Sequence, residues 1–80
     1  MQIPNEFPFE TYVPLEKEEH FVGRIVINKI NEGYFSEIDI VNRESKKIFY
    51  HVGQLFDRPD FTDLLDLSVQ RLSEFLSKTS

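Results

Sequence analysis

Alternating apolar and polar residues predict three strands in the middle of the chain. Residues 21–30, 34–41 and 46–52 are rich in β-branched and aromatic residues. Polar segments at 31–33 and 42–45 separate them and are typical of turns, with Gly33 able to take a positive φ. Residues 53–59 read as a loop. The pattern therefore predicts a three-stranded antiparallel meander.

Near residue 60, the spacing of apolar residues changes from that of a strand to that of a helix. Asp57 or Asp60 can cap the helix, Pro59 suits its first turn, and Asp63 adds a favourable negative charge there. The apolar positions cluster within an arc of about 140° on such a helix. They are Phe61, Leu64, Leu65, Val69, Leu72, Phe75 and Leu76. We expect one amphipathic helix of about 18 residues that needs a sheet to cover its apolar stripe.

The first 19 residues differ from the rest of the chain. Prolines at 4, 8 and 14 remove backbone donors, and aromatic residues lie between them. We predict an extended arm over residues 1–19, in which any strand is an edge strand, and a single domain over residues 20–80. The expected fold class is α+β, with the order β-β-β-α and the arm as an optional fourth strand.

The apolar pattern also suggests a strand register. Pairing Ile27 with Ile38 and Ile25 with Ile40 places apolar residues on one face, whereas a shift by one residue sets Ile27 against Glu37. In the same register, Ile40 lies beside Ile48 and Ile38 beside Tyr50. This face is the expected seat of the helix. Gly23, inside the first strand, predicts a bulge or a close approach of the arm.

The opposite sheet face carries more apolar residues than a face meant for water. An apolar patch of this kind indicates an interface, so we expect the arm, a second copy or another protein to cover it. The predicted binding residues are an apolar group with a polar ring around it. The apolar group is Val26, Phe35, Val41 and Phe49, and the ring is Arg24, Glu37, Lys47 and His51.

Composition and charge exclude several classes of protein. The net charge is −5 and there is no cysteine, so a disulfide scaffold and a thiolate zinc site are excluded. The basic residues are interleaved with acidic ones, which disfavours direct binding of nucleic acid. No apolar run approaches the roughly 20 residues of a membrane span. With no visible signal peptide, we expect a cytoplasmic location.

The residues that could carry chemistry are few. His51 beside Glu37, with Asn28 and Asp39 nearby, could act as a general base, but it also reads as a cross-strand polar pair. Glu16 and His20 could provide two metal ligands, although a solvated charged linker explains them as well. The three glycines are isolated and form no phosphate-binding loop. We therefore expect no catalytic site, no metal and no cofactor.

The run Gly33-Tyr34-Phe35-Ser36-Glu37-Ile38, followed by a helix that begins at Phe-Thr-Asp, resembles the sheet-and-helix half of HicB-type antitoxins. The resemblance covers about half of the chain. That family's Pro-Gly-Cys loop is absent, because residues 41–45 contain none of these residues. The resemblance therefore implies a shared architecture and no family assignment.

Three functional hypotheses remain open, and the last of them is an enzyme that depends only on His51 with Glu37. The first is a small non-enzymatic domain that binds protein, and self-associates as a homodimer, through the apolar sheet face or a strand edge. The alternative is an acidic inhibitor or antitoxin-like protein that masks a basic, nucleic-acid-binding site on a partner. It depends on the acidic arm and on the aspartates at 57, 60, 63 and 66.

Overall fold

The computed structural model describes residues 6–16, 18–31 and 33–79. One antiparallel sheet of four strands, in the order β1-β2-β3-β4, packs on a single C-terminal helix. The elements are β1 (Phe9–Pro14), β2 (Phe21–Ile30), β3 (Gly33–Asn42), β4 (Ile48–Arg58) and α1 (Phe61–Thr79). The predicted α+β class is confirmed, and the arm supplies β1 as an edge strand.

The register of β2 and β3 differs from the predicted one. Ile25 pairs with Ile38, and Ile27 pairs with Ser36. Each partner lies two residues from its expected position, so the same side chains still share a face. The reason is a tighter turn, in which Ile30 pairs directly with the first residue of β3. Asn31, not Gly33, takes the left-handed conformation there, with φ of 46°.

The last strand is longer than expected. β4 runs to Arg58, so the predicted loop at 53–59 was wrong for most of its length. Register shifts opposite β3 accommodate extra residues, so Ile40 pairs with Tyr50, Ile38 with Gly53 and Val41 with Ile48. The expected neighbours of Ile38 and Ile40 were therefore wrong. Gly53 lies inside the strand because bulges let the pairing continue past it.

Helix α1 begins where its cap is formed. The Asp60 carboxylate accepts a hydrogen bond from the Thr62 amide at 3.0 Å, and its carbonyl accepts one from Leu64 at 3.0 Å. The helix lies so close to β2 that a Cβ at Gly23 would overlap Leu72. The helix thus fills the space above Gly23, while β1 of the arm pairs beside it, with Val13 opposite Gly23.

The buried core lies between α1 and one face of the sheet. Its buried apolar residues are Leu15, Ile25, Ile27, Ile38, Ile40, Phe61, Leu64 and Leu72. Phe7 and Phe9 from the N-terminal segment pack on this side, with ring centroids 6.2 and 5.2 Å from that of Phe61. Phe7 and Phe9 of the arm thus extend the core and do not cover the opposite sheet face.

Candidate functional site

The sheet face that α1 does not contact is here called the outer face. Its central row crosses all four strands, because Tyr12 pairs with Arg24, Arg24 with Asp39 and Asp39 with His51. The neighbouring row holds Glu10, Val26, Glu37 and Gln54. Charged and polar side chains therefore occupy the middle of this face, where the sequence had suggested an apolar patch.

One end of the central row is a satisfied polar network. The Arg24 guanidinium donates two hydrogen bonds to one oxygen of Glu10, at 3.1 and 2.9 Å, and the Tyr12 hydroxyl donates to the other at 2.6 Å. The Lys46 ammonium lies 4.9 Å from the centre of the Tyr12 ring. The described groups of this network therefore hold one another in place through short polar contacts.

The network shifts the acidity of its members. The hydrogen bond from Tyr12 and, after it, the bond from Arg24 lower the pKa of Glu10. Donation to this carboxylate raises the pKa of the Tyr12 hydroxyl. Burial, the largest single influence, would lower the pKa of Arg24, but the bond to Glu10 together with the charges of Glu10 and Asp39 raises it. The shifts favour the charged forms of Glu10 and Arg24 and the protonated Tyr12 hydroxyl, which are the forms that make these hydrogen bonds.

The other end of the row is different. His51 Nδ1 lies 2.7 Å from Oδ1 of Asp39, while the Glu37 carboxylate is 4.0 Å from the same nitrogen. The Asp39 side chain is fully buried, and no described residue donates a hydrogen bond to its Oδ2 atom. The sequence had paired His51 with Glu37, but the immediate partner of His51 is Asp39.

Asp39 was considered in the sequence but not chosen as a site residue. It stands between Ile38 and Ile40, in the middle of a strand whose neighbouring residues are buried. An acidic residue inside an apolar strand is costly unless it is paired. The position of Asp39 within an apolar strand was the sequence signal for a site. Its partner could not be identified from the sequence, because a bulge in β4 brings His51 opposite Asp39.

Most of the predicted binding residues lie on the outer face, but they do not form one exposed apolar patch. Val41 is fully buried, and Val26 and Phe35 are half-buried. Phe49 is 67% exposed and packs its ring 4.5 Å from that of Phe21. The polar ring is divided: Arg24 belongs to the Glu10 network, Glu37 and His51 lie near Asp39, and Lys47 is exposed just before β4.

Exposed apolar side chains concentrate instead on β4, an edge of the sheet. Those of β4 are Ile48, Phe49, Tyr50 and Phe56, which are 50–67% exposed. The Phe56 ring stacks on Phe35 at 5.8 Å, and the Tyr50 ring lies 4.9 Å from that of Phe75 on α1. These side chains therefore extend the apolar surface of the strand on both sides of the sheet.

The acidic residues have mixed roles. Asp60 caps α1 and Glu10 pairs with Arg24, so both serve the fold. Asp63 and Asp66 are exposed on α1, and the side chain of residue 57 lies outside the described ones. Glu16 and His20 are both exposed and do not belong to the cluster of three potential metal ligands that the described residues form. The hypothesis of an acidic inhibitor stays a prediction.

Comparison with known proteins identifies no relative of this chain. The chain matches no protein-family model, no curated protein and no solved structure at a significant level. These comparisons therefore give no support to the resemblance to HicB-type antitoxins. Among the described residues, no helix combines the length and the apolar character needed to cross a membrane.

Proposed function

We propose that this protein is a non-enzymatic protein-binding domain that forms a homodimer by pairing β4 with β4 of a second copy. The observation that carries the proposal is the run of exposed apolar side chains along an edge strand. A long apolar edge strand presents unpaired backbone groups and readily accepts another strand. Pairing two such edges would join two four-stranded sheets into one.

The two edges of the sheet differ in ways that favour β4. β1 has six residues, ends in Pro14 and carries the ion-paired Glu10, and proline cannot donate to a pairing strand. β4 has eleven residues with no proline. Between Ile48 and Phe56, His51 is the sole side chain that can carry a charge near neutral pH. β1 is thus a protected edge and β4 an open one.

The β4 edge is better suited to pair with β4 of a second copy than with a highly charged strand of another protein. The middle of β4 has almost no charge, so two copies can approach without the repulsion expected from a net charge of −5 per chain. Antiparallel pairing about a twofold axis uses the same surface on both chains and closes the assembly. Because β1 remains at both outer ends, its proline and short length oppose further growth into a fibre.

The test is the oligomeric state of matched lysine variants. Ile48→Lys places a charge on the β4 edge, and Val69→Lys places the same charge on α1 at another exposed aliphatic position. We expect light scattering after size exclusion to give a dimer for the wild type and for Val69→Lys. Ile48→Lys should be monomeric, because a lysine on a pairing edge opposes strand addition.

Two results would contradict the proposal. One is a wild-type chain that stays monomeric at millimolar concentration. The other is a dimer that Val69→Lys disrupts as strongly as Ile48→Lys. Phe56→Lys tests the far end of β4 and should also produce a monomer, because Phe56 is exposed on the same strand.

A further inference from the structure

We infer that Glu37, Asp39 and His51 form a binding site for a divalent transition-metal ion of the Zn²⁺ type. One ligand atom from each side chain lies within 4.8 Å of the other two. The sequence led us to expect no metal site. The inference differs from that expectation because the fold adds Asp39 to the pair anticipated from the sequence.

The strongest indication is the buried carboxylate of Asp39. Its Oδ1 atom lies 2.7 Å from His51, but its buried Oδ2 atom has no hydrogen-bond partner among the described residues. Arg24 faces Asp39 from β2, yet its guanidinium bonds Glu10. A buried oxygen of this kind lowers stability because its lost hydration is not replaced. A cation held by this carboxylate would replace that hydration.

The distances are close to those of a coordination sphere. Zn²⁺ binds oxygen and nitrogen at about 2.0–2.2 Å, so two ligands of a tetrahedral ion lie about 3.4 Å apart. The two separations from His51 Nδ1, 2.7 Å to Asp39 and 4.0 Å to Glu37, lie on either side of this value. Asp39 is fixed by burial, whereas the half-exposed His51 and Glu37 side chains can adjust by small rotations.

The charges and donor types select the class of ion. Two carboxylates balance the charge of a divalent cation, and the imidazole favours Zn²⁺ and similar ions over Mg²⁺ and Ca²⁺. Binding through Nδ1 of His51 requires the imidazole tautomer whose proton is on Nε2, so any proton on Nδ1 moves to Nε2. Because the outer face is open at the exposed imidazole, three protein ligands would leave a coordination position for water or for a ligand from outside.

Metal alone is the probe for the first experiment. Zn²⁺ is titrated into the full chain by calorimetry, and Co²⁺ is added separately to record its visible absorption. We expect one ion per chain, a Co²⁺ spectrum of a low-coordinate site, and a thermal midpoint that rises with the Zn²⁺ concentration. Mg²⁺ at the same concentrations should leave the midpoint unchanged.

Variants then identify the ligands, and the two histidines provide a matched pair. His51→Gln should weaken Zn²⁺ binding by at least about tenfold, whereas His20→Gln should leave it unchanged. Glu37→Gln should weaken binding similarly, and its half-exposed position keeps it from disturbing the fold. Asp39→Asn should abolish the rise in thermal midpoint while leaving a folded chain by circular dichroism.

Some outcomes would overturn the inference. One such outcome is that His20→Gln and His51→Gln weaken Zn²⁺ binding equally. Another is that the chain binds more than one Zn²⁺ ion and Mg²⁺ competes equally for them. Either result would mean that Zn²⁺ binds generally to surface carboxylates. The site lies within one chain, so Ile48→Lys should retain the wild-type affinity for Zn²⁺. Loss of binding in that variant would refute a site within a single chain. The failure of dimerisation alone leaves this inference unaffected.

Discussion

The two faces of the sheet differ in how their buried polar side chains are hydrogen-bonded. On the helix side, Ser36 and Ser68 are fully buried and their hydroxyl oxygens are 2.7 Å apart. Because Ser68 donates its proton to the Leu64 carbonyl at 2.8 Å, Ser36 must be the donor to Ser68. On the outer face, Asp39 is equally buried, but one of its oxygens has no donor among the described residues.

This difference separates a structural polar pair from a candidate site. Serine hydroxyls are neutral and can satisfy each other inside an apolar core at little cost. A buried carboxylate needs a cation or several donors, and His51 satisfies one of its oxygens. The helix face is thus closed to ligands, whereas the outer face presents a charged group with unused capacity to bind.

The largest expected effect on stability is the difference between replacing an aromatic residue on the helix side of the sheet and replacing one on the outer side. Phe61, the first residue of α1, is buried in the core, so Phe61→Ala should lower the free energy of unfolding by about 3–5 kcal/mol. Phe56 is half-exposed and stacks on Phe35, so Phe56→Ala should cost about 1 kcal/mol. Urea denaturation in the Ile48→Lys background removes any contribution of dimerisation. Equal costs for the two variants would contradict the assignment of the core to the helix face.

A smaller effect concerns the direction of the serine hydrogen bond. Ser68→Ala leaves the Ser36 hydroxyl without its acceptor, and should lower the free energy of unfolding by about 1–3 kcal/mol. Ser36→Ala leaves Ser68 bonded to the Leu64 carbonyl and should cost less. The double variant should cost less than the sum of the single ones. Additive costs in urea denaturation would mean that the two hydroxyls do not interact.

The smallest effect is a pH dependence on the outer face. The folded protein lowers the pKa of Glu10 below its ordinary value near 4.5, so this carboxylate stabilises the fold above that pH. The stabilisation is lost as the pH falls through the folded pKa. Glu10→Gln should therefore lower the free energy of unfolding by about 0.5 kcal/mol at pH 7, the scale of an exposed ion pair. The difference from wild type should shrink at pH 3.

Arg24→Gln supplies the control for this measurement. In that background, the effect of Glu10→Gln at pH 7 should become smaller, because the charged partner at 2.9 Å is gone. An unchanged effect would show that the Tyr12 hydroxyl alone accounts for the stabilisation by Glu10.

The helix was predictable because its signals are local. The apolar period and the acidic cap near Asp60 lie within one continuous segment, and the helix begins at Phe61 as they indicate. Strand β4 was only partly predictable, because Gly53 resembles a turn residue. A bulge depends on the neighbouring strand, so the extension to Arg58 could not be inferred from the segment itself.

The candidate site also depends on contacts between strands that a single segment of sequence does not reveal. His51 and Glu37 were selected from the sequence, yet the position of His51 opposite Asp39 depends on the bulges in β4. Val41 was selected for its apolar character and is instead buried. Periodicity assigns a residue to a face of the sheet, but its exposure there depends on the side chains that surround it.

The sequence by itself determined the α+β class, the amphipathic helix and the edge position of the arm, because period, capping and proline content act over a few residues. The tertiary structure decided which residues meet across strands. It paired Asp39 with His51, buried Asp39, directed Phe7 and Phe9 of the arm towards the helix and left β4 as the open edge. These features depend on register and on contacts between distant segments, which alternation within one strand does not encode.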